Sequence, residues 1–322
     1  MSSPSMGATA LVLALLLTGC GAAASGGPAA TATTIKDPQG HAVALPQQPK
    51  AALGFYTTDV DILMTLGIPL AKSQPIRGDS GFTTFPDYFP QAPLKDVKPF
   101  ANYPEYNYEQ VLRAEPDFIL NGLGYDGKVH ARLGQIAPTY TVDAFDGENW
   151  ETHFERTARD LGRTDRYTAW KDAYAKQAAQ AKTGIAEAGN SALTVATFGY
   201  WEGNGSIACY AGVACKAFDD LGLKRSPLSD DDKLTFSPEQ LGRLRDIDAV
   251  WVSVGVGEQG KKELKTMLDT LGQSPAWRAL PFVKDKRIFT YNMEMAYGSP
   301  SGQQAFLEQV RKDLTATPRI GG

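Results

Sequence analysis

The sequence contains little cysteine, little histidine and no surplus of basic residues. Its 322 residues include three cysteines and three histidines, and the net charge is −4. An acidic balance of this kind argues against a nucleic-acid partner. The histidines, His41, His130 and His153, stand far apart and form no HExxH pattern. We therefore predict no zinc or manganese site and no resident metal or cofactor.

The N-terminal apolar residues form one short run over residues 8–17. The run is too short to cross a bilayer as a helix, but it suits the core of a signal peptide. It leads into Leu17-Thr18-Gly19-Cys20, which resembles a lipobox, the motif in which a cysteine receives a diacylglyceryl group before cleavage. We predict lipidation of Cys20, which anchors the exported chain to the cell membrane. A plain signal peptide cut elsewhere is the alternative, and the lack of Lys or Arg before the run leaves the start codon open.

Small residues dominate the stretch that follows, residues 20–34, which has no apolar face. Such a segment acts as a flexible linker, so folded structure is expected to begin near Ile35. The remaining chain is longer than most single hydrophobic cores can accommodate. Its length favours two lobes.

Two cysteines remain once Cys20 is set aside: Cys209 and Cys215, in the segment CYAGVAC. An even remainder in an exported protein favours a disulfide, because disulfides persist outside the cytoplasm. We predict a Cys209–Cys215 bond that closes a small loop. Metal binding by the pair is the alternative, but no histidine or further cysteine lies nearby in the sequence to complete a site.

Two segments resemble each other, residues 108–120 and residues 238–251. Each has Glu-Gln early in a short helical pattern, then Asp before an apolar run typical of a buried parallel strand. Asn107 and Ser237 suit the N-cap positions of the two helices. The repeat indicates two similar α/β lobes, although so short a match can also arise by chance.

Between the repeated segments lies a stretch rich in Ala, Lys, Gln and Glu, residues 165–188. These are good helix formers, and Tyr167, Trp170 and Tyr174 recur at helical spacing on one face. A helix of this length spans about 36 Å and is long enough to run along both lobes. The predicted parts are a lipoprotein signal peptide (1–19), a lipidated tether (20–34), an N-terminal lobe (35–163), an inter-lobe helix (164–188) and a C-terminal lobe (189–322).

Apolar runs typical of strands alternate with helical patterns elsewhere in the chain. The alternation predicts an α/β fold with mostly parallel sheets and ligands bound at the carboxyl ends of strands. The predicted strands cover residues 51–55, 139–142, 193–198, 249–254 and 287–291, and the predicted helices cover 59–66, 261–271 and 302–314.

Short motifs recur in a fixed order over nearly the whole mature chain. They are DPQG at 37–40, TTDVDIL at 57–63, LGI at 66–68, YE at 108–109, EPD at 115–117, IAPT at 136–139, FSPEQL at 236–241 and PAW at 275–277. In this order they resemble the iron-siderophore and vitamin B12 binding proteins that serve bacterial ABC importers. The resemblance implies two Rossmann-like lobes joined by one long rigid α-helix, as in class III periplasmic binding proteins, with the ligand in the cleft between them.

The resemblance also implies a non-enzymatic receptor that captures a ferric siderophore and delivers it to an ABC permease. In the family, glutamates at the positions of Glu109 and Glu239 project from the lobe tips toward arginines of the permease dimer. We therefore predict that these two residues dock the permease. An ordinary acid at a helix N-terminus, stabilised by the helix dipole, is the alternative role for either one. The protein itself is expected to be a monomer.

Loops that follow the predicted strands are rich in aromatic residues, which is unusual for turns that face solvent. Pockets for large organic ligands combine such rings with a few placed polar groups. For any one ring, packing within its own lobe is the alternative. The predicted ligand-binding residues are Tyr56, Thr57, Arg77, Tyr103, Tyr106, Tyr125, Tyr200, Trp201, Tyr210, Tyr291, Asn292, Met293 and Tyr297.

Arg77 bears on the class of ligand, because a guanidinium donates to anionic oxygens, including those of hydroxamates around ferric iron. A ferric tris-catecholate carries several negative charges and requires a cluster of bases. The candidate loops instead contain few bases and several acids, including Asp79, Glu202 and Glu294. The balance favours a neutral or cationic ferric hydroxamate, with the iron held by the siderophore. A surface pair with Asp79 is the alternative role of Arg77.

Two other functions remain open. Cobalamin or haem is an alternative ligand for the same fold, with a tyrosine as the haem ligand. The GxGxxG pattern at residues 122–127, followed by Asp143 at a later strand end, fits part of the dinucleotide fingerprint and would indicate an extracellular nucleotide-using enzyme. Its position away from the start of the lobe argues against the enzyme.

Overall fold

The computed structural model describes residues 33–231 and 233–318. Cys20, the predicted signal peptide and nearly all of the predicted tether lie outside the described residues. Within those two ranges, no helix is both long enough and apolar enough to cross a membrane.

The first half of the folded chain forms an N-terminal lobe on short parallel strands. Its strands are β1 Thr33–Lys36, β2 Ala42–Leu45, β3 Ala52–Gly54, β4 Ser73–Ile76, β5 Lys98–Ala101, β6 Phe118–Asn121 and β7 Thr139–Thr141, and its helices are α1 Thr57–Thr65, α2 Gln91–Leu94, α3 Tyr108–Arg113, α4 Gly127–Leu133 and α5 Trp150–Asp160. A parallel sheet has the order β3-β6-β7, beside a parallel pair of β4 and β5 and an antiparallel pair of β1 and β2. The central strand β6 is buried along its whole length, as expected of a parallel strand covered on both faces.

One long helix, α6 Thr164–Glu187, leaves this lobe and runs along both halves of the molecule. Tyr167, Trp170 and Tyr174 are buried on one face of it, as their spacing predicts. The largest core cluster follows this face from Phe154 in the first lobe to Phe306 in the second. Burial of one continuous aromatic face makes α6 a rigid connector between the two lobes.

The C-terminal lobe is built on a six-stranded, mostly parallel sheet. Its strands are β8 Thr194–Trp201, β9 Asn204–Ser206, β10 Lys224–Arg225, β11 Thr235–Phe236, β12 Ala249–Val254 and β13 Ile288–Asn292, and its helices are α7 Val213–Asp220, α8 Gly257–Leu271, α9 Pro275–Arg278, α10 Pro281–Lys284 and α11 Pro300–Ala316. The strand order is β11-β9-β8-β12-β13, with β10 paired to β8. β8, β10, β12 and β13 run parallel to one another, whereas β9 pairs in the antiparallel sense with both β8 and β11. The predicted α/β fold of two lobes and one connecting helix is therefore confirmed.

The two lobes also touch each other directly. The carboxylate of Asp61, in α1, accepts hydrogen bonds from the backbone N–H and the hydroxyl of Ser301, in α11, both at 2.7 Å. Near β12, the backbone N–H of Val256 donates to the carbonyl of Ser80 at 2.9 Å. These contacts fix the lobes beside each other at points away from α6.

The internal repeat differs in its second copy. Asn107 caps α3 as predicted, since its side chain accepts a hydrogen bond from the backbone N–H of Gln110. Ser237 does not cap an α-helix, because its hydroxyl donates to Glu239 and the chain then forms a 3-10 turn over Leu241–Leu244. Gly242 falls within this short turn, and glycine stabilises helices poorly, so a regular helix is disfavoured there.

Candidate functional site

The carboxyl ends of the parallel strands in both lobes face a common cleft. Tyr56 follows β3 and Arg77 follows β4, whereas Tyr297 belongs to the 3-10 turn Met293–Tyr297 directly after β13. Residues from strand ends that are far apart in sequence therefore meet at one place, as parallel sheets favour.

Arg77 lies at the base of this cleft and is only 5% exposed. Its Nη1 donates to the phenolic oxygens of Tyr56 and Tyr297, each at 3.0 Å. Its Nε and Nη2 donate to the two carboxylate oxygens of Asp79. The guanidinium also stacks over the ring of Tyr103, 4.4 Å from the ring centroid. Arg77 therefore does pair with Asp79, as the alternative role proposed. The pair belongs to a buried network between the lobes, however, and is not a surface ion pair.

Glu294 completes the base of the cleft from the C-terminal lobe and is fully buried. Its Oε1 accepts a hydrogen bond from the hydroxyl of Tyr56 at 3.2 Å and lies 3.6 Å from Nη1 of Arg77. Burial raises the pKa of Glu294 to about 7, and the positive charge of Arg77 opposes that rise. The guanidinium of Arg77 thus already faces two carboxyl groups of the protein itself.

An aromatic row extends from this base to the surface and consists of Tyr106, Tyr125, Phe145, Tyr210 and Tyr297. The hydroxyls of Tyr106 and Tyr125 lie 3.2 Å apart, and successive ring centroids from Tyr125 to Tyr297 are 5.4, 6.1 and 5.8 Å apart. Tyr125, Phe145 and Tyr210 are 58%, 40% and 52% exposed. Contiguous rings open to solvent at a lobe boundary are typical of a surface that binds an organic ligand.

Phe145 is the member of the row that the sequence reasoning missed. It lies in the loop at residues 143–149, which follows β7 and precedes α5. Its ring contacts Tyr125 in its own lobe and Tyr210 in the other. The available signal was its position after a predicted strand, the criterion that selected Tyr125.

The disulfide predicted between Cys209 and Cys215 is present, with an S–S distance of 2.09 Å. It ties the 3-10 turn Tyr210–Gly212 to the first helical turns of α7. Tyr210 therefore sits on a crosslinked loop, which limits how far its ring can move from the row.

Some predicted cleft residues pack within the C-terminal lobe instead. Tyr200 is half-buried against the core of that lobe. Tyr291 is buried beside Phe306, with ring centroids 4.8 Å apart. Asn292 caps the 3-10 turn that follows β13, and Met293, half-buried, begins that turn. For Tyr200 and Tyr291 the packing matches the alternative considered for every ring.

Thr57 and Trp201 take different positions around the cleft. The hydroxyl of Thr57 accepts a hydrogen bond from the backbone N–H of Arg77 at 3.2 Å, so it supports the base of the cleft. Trp201 is 78% exposed at the end of β8, in the hairpin that leads to β9.

The two glutamates predicted to dock a permease are both exposed. The side chain of Glu109 is 72% exposed in the first turn of α3 and pairs with Arg113 at 2.6 Å. Glu239 lies in the turn before Leu241–Leu244, and the hydrogen bond from Ser237 lowers the pKa of its carboxyl. Both side chains are exposed where a partner could reach them, and their docking role stays a prediction.

The glycine-rich loop at residues 122–127 uses its backbone amides within the protein. The N–H of Gly122 donates to Asp59 at 3.0 Å, and the N–H of Gly124 donates to the carbonyl of Val142 at 2.9 Å. Asp126 caps α4. A phosphate-binding loop needs such amides free, so the arrangement argues against nucleotide binding here.

The histidines are scattered in sequence, but two of them meet in the fold. The rings of His41 and His130 stack with centroids 3.5 Å apart, next to Asp37. His153 lies near Asp146 and Glu148.

In the first group, Asp37 accepts hydrogen bonds from the backbone N–H and from Nδ1 of His41 and from the backbone N–H of Thr141. His130 Nδ1 lies 2.7 Å from the hydroxyl of Thr141. Those hydrogen bonds tie the two histidines to Asp37 and Thr141.

Comparison with known proteins agrees with this architecture. A family model described as periplasmic binding protein matches residues 55–294. A periplasmic solute binding protein from Mycobacterium smegmatis is 16% identical, with a TM-score of 0.69 over 89% of this chain and 99% of its own. The SirA complex with staphyloferrin B, from Staphylococcus aureus, is 21% identical, with a TM-score of 0.68 over 88% and 98%. FhuD2 of Staphylococcus aureus with bound ferrioxamine B is 17% identical, with a TM-score of 0.65 over 84% and 99%. No curated protein sequence matches the chain significantly.

Proposed function

The chain belongs to the periplasmic binding protein family, and we propose that it captures a ferric siderophore outside the cytoplasm and delivers it to an ABC permease. The observation that carries the proposal is the aromatic row between the lobes, with the Arg77 network at its base. Exposed rings suit the organic shell of a large ligand, and a few fixed polar groups orient it. Members of this family bind solutes, so no catalytic residue is needed.

The structural relatives support a siderophore as the ligand. SirA is complexed with staphyloferrin B and FhuD2 with ferrioxamine B, and both share this fold over most of their length. In such a complex the siderophore coordinates the iron, and the protein contacts the organic shell. Tyr125, Phe145 and Tyr210 are the rings most available for that contact, because they are the exposed members of the row.

The charges at the base of the cleft favour a hydroxamate. Arg77 is the cation there, and it is bound by Asp79 and lies 3.6 Å from Glu294. A strongly anionic ferric catecholate would meet these carboxyl groups without a free cluster of bases to offset them. A ferric trihydroxamate is neutral at its iron centre and avoids that conflict.

The proposed lipid anchor and permease docking follow from the sequence. A lipid on Cys20 and a flexible tether would keep a monomeric receptor near its permease. Glu109 and Glu239 are both exposed, one on each lobe, which suits docking to the two subunits of a permease dimer.

Iron uptake tests the proposal in the cell. A strain that lacks this gene should lose uptake of radiolabelled iron from a ferric trihydroxamate and regain it when the gene is restored. Unchanged uptake in the deletion strain, with loss of haem or cobalamin uptake instead, would contradict it and favour the alternative ligands.

A further inference from the structure

A cavity of about 440 Å³ opens beside the aromatic row, between the loop at 143–149 and the disulfide turn of the other lobe. Phe145 and Tyr210 line both the cavity and the row, so the two spaces share a boundary. Small residues and the disulfide form much of the remaining wall: Ala144, Gly147, Ala208, Ala211, Gly212 and Cys215. A narrow space with small apolar walls suits a methylene chain better than a second bulky ring.

Among the described residues, every charged side chain that lines this cavity is acidic. Glu148 comes from the N-terminal lobe and Asp230 from the C-terminal lobe. Arg156 pairs with Glu148 at 3.1 Å, and Arg225 pairs with Asp230 at 2.6 Å, but neither arginine lines the cavity. The carboxylates are 47% and 65% exposed, so these ion pairs are weak, and each engages one carboxylate oxygen and leaves the other to a further cation.

Acidic side chains outnumber basic ones around the cavity. Arg225 also binds Asp219 at 2.6 Å, and Asp146 lies 3.1 Å from His153 just beside Glu148. The two guanidiniums are therefore shared among more than two carboxylates. The local field favours a positively charged group.

Ser229 gives an independent sign of a ligand. It lines the cavity and is 5% exposed, yet its hydroxyl has no hydrogen-bond partner among residues 33–231 and 233–318. Buried hydroxyls in folded proteins are nearly always paired, so an unpaired one in a residue that lines a cavity points to a partner supplied from that cavity.

We propose that this cavity, the arm site, receives an aliphatic arm that ends in an ammonium group and belongs to the same ferric hydroxamate that contacts the aromatic row. The inference rests on the proposed function and narrows its substrate class to linear hydroxamates with a free amine. The methylene chain lies along the rings of Phe145 and Tyr210 where they line the cavity. The ammonium donates to Glu148 and Asp230, and Ser229 bonds a polar group of the arm.

Two compounds that share the same iron centre and differ at the end of one arm test the arm site. Ferrioxamine B ends in an ammonium group, and its N-acetyl derivative ends in a neutral amide. We expect the protein to bind ferrioxamine B roughly tenfold more tightly, as one partly shielded charge contact allows. The double variant Glu148→Gln with Asp230→Asn should abolish the preference and keep the affinity for the acetylated compound. Glu202→Gln, which removes an exposed carboxylate on the β8–β9 hairpin, is the matched control and should keep the preference.

A second variant tests the cavity itself. Ala144→Leu places extra bulk in the arm site and should weaken binding of ferrioxamine B several-fold while sparing a cyclic ferric trihydroxamate that has no arm. Equal binding of ferrioxamine B and its acetyl derivative to the unaltered protein would overturn the arm site and leave the receptor function intact. Failure of every ferric hydroxamate to bind would overturn the proposed function as well.

Discussion

The hydroxyl of Tyr56 donates to the buried carboxyl of Glu294 across the two lobes, at 3.2 Å. Tyr56 immediately precedes α1, after the first strand of the N-terminal sheet, and Glu294 lies in the turn after the last strand of the C-terminal sheet. Arg77 lies between them and bonds the tyrosine. The base of the cleft is therefore one hydrogen-bonded unit contributed by both lobes, and a change in any member should alter the whole.

Replacing Arg77 tests this unit. Arg77→Gln removes the donors to Tyr297 and Asp79 and leaves Glu294 buried without its cation. We expect a loss of about 3 kcal/mol in the free energy of unfolding, measured by urea denaturation, because the hydroxyls of Tyr56 and Tyr297 and the carboxylate of Asp79 all lose a hydrogen-bond donor. Arg113→Gln breaks an exposed pair and should cost less than about 1 kcal/mol. Equal effects of the two changes would contradict the buried network.

The free energy of unfolding should depend on pH through the protonation of Glu294. Its pKa is raised to about 7 in the folded protein, so the folded state holds a proton that the unfolded state releases near its ordinary pKa. This contribution to stability is complete below that ordinary pKa, and it is lost as the pH rises toward 7. Glu294→Gln should therefore gain about 2–3 kcal/mol relative to the natural protein between pH 4.5 and 7.5. Urea denaturation across that range measures the difference, and a constant difference would show that Glu294 does not hold the proton.

Phe145 provides the sharpest test of the aromatic row. Its ring is exposed at 40%, so Phe145→Ala should leave the melting temperature nearly unchanged. Loss of its ligand contact should weaken binding of a ferric trihydroxamate by about 1–2 kcal/mol, or roughly tenfold. Leu112→Ala removes another exposed apolar side chain, at 59%, on α3 and is the control. If both variants bind as tightly as the natural protein, Phe145 does not contact the ligand.

Permease docking by Glu109 and Glu239 can be separated from ligand binding. Reversing both to arginine should abolish siderophore uptake by cells, because like charges across the interface repel. The affinity of the purified protein for its ligand should not change, since both side chains are exposed. Glu258→Arg, at a 90% exposed side chain on α8, is the control and should retain uptake. Loss of ligand affinity in the double variant would assign the two residues to the fold or the cleft instead.

Sequence periodicity was sufficient for the parts of the fold that local patterns determine. The spacing of Tyr167, Trp170 and Tyr174 predicts the buried face of α6, and the run at 249–254 coincides with β12. In both cases the side chains repeat with the period of their own helix or strand, so the segment alone is sufficient to predict that element.

The site depends on contacts that no local pattern reports. Phe145 meets Tyr210, and Arg77 meets Tyr297, only because two lobes pack together around α6. Strand ends indicate which loops face the cleft, but they do not say which rings turn inward, as the burial of Tyr291 shows. Ser237 failed as a helix cap because its hydroxyl donates to Glu239.

Direct titration of the purified domain tests the central claim most simply. The protein is titrated with a ferric trihydroxamate, a ferric tris-catecholate, haem and cobalamin while tryptophan fluorescence is followed, with Trp201, exposed at a strand end of the C-terminal lobe, among the reporters. We expect saturable quenching by the ferric trihydroxamate with a Kd below about 1 µM, and much weaker binding of the other three. Tight binding of haem or cobalamin with no response to any ferric hydroxamate would contradict the claim.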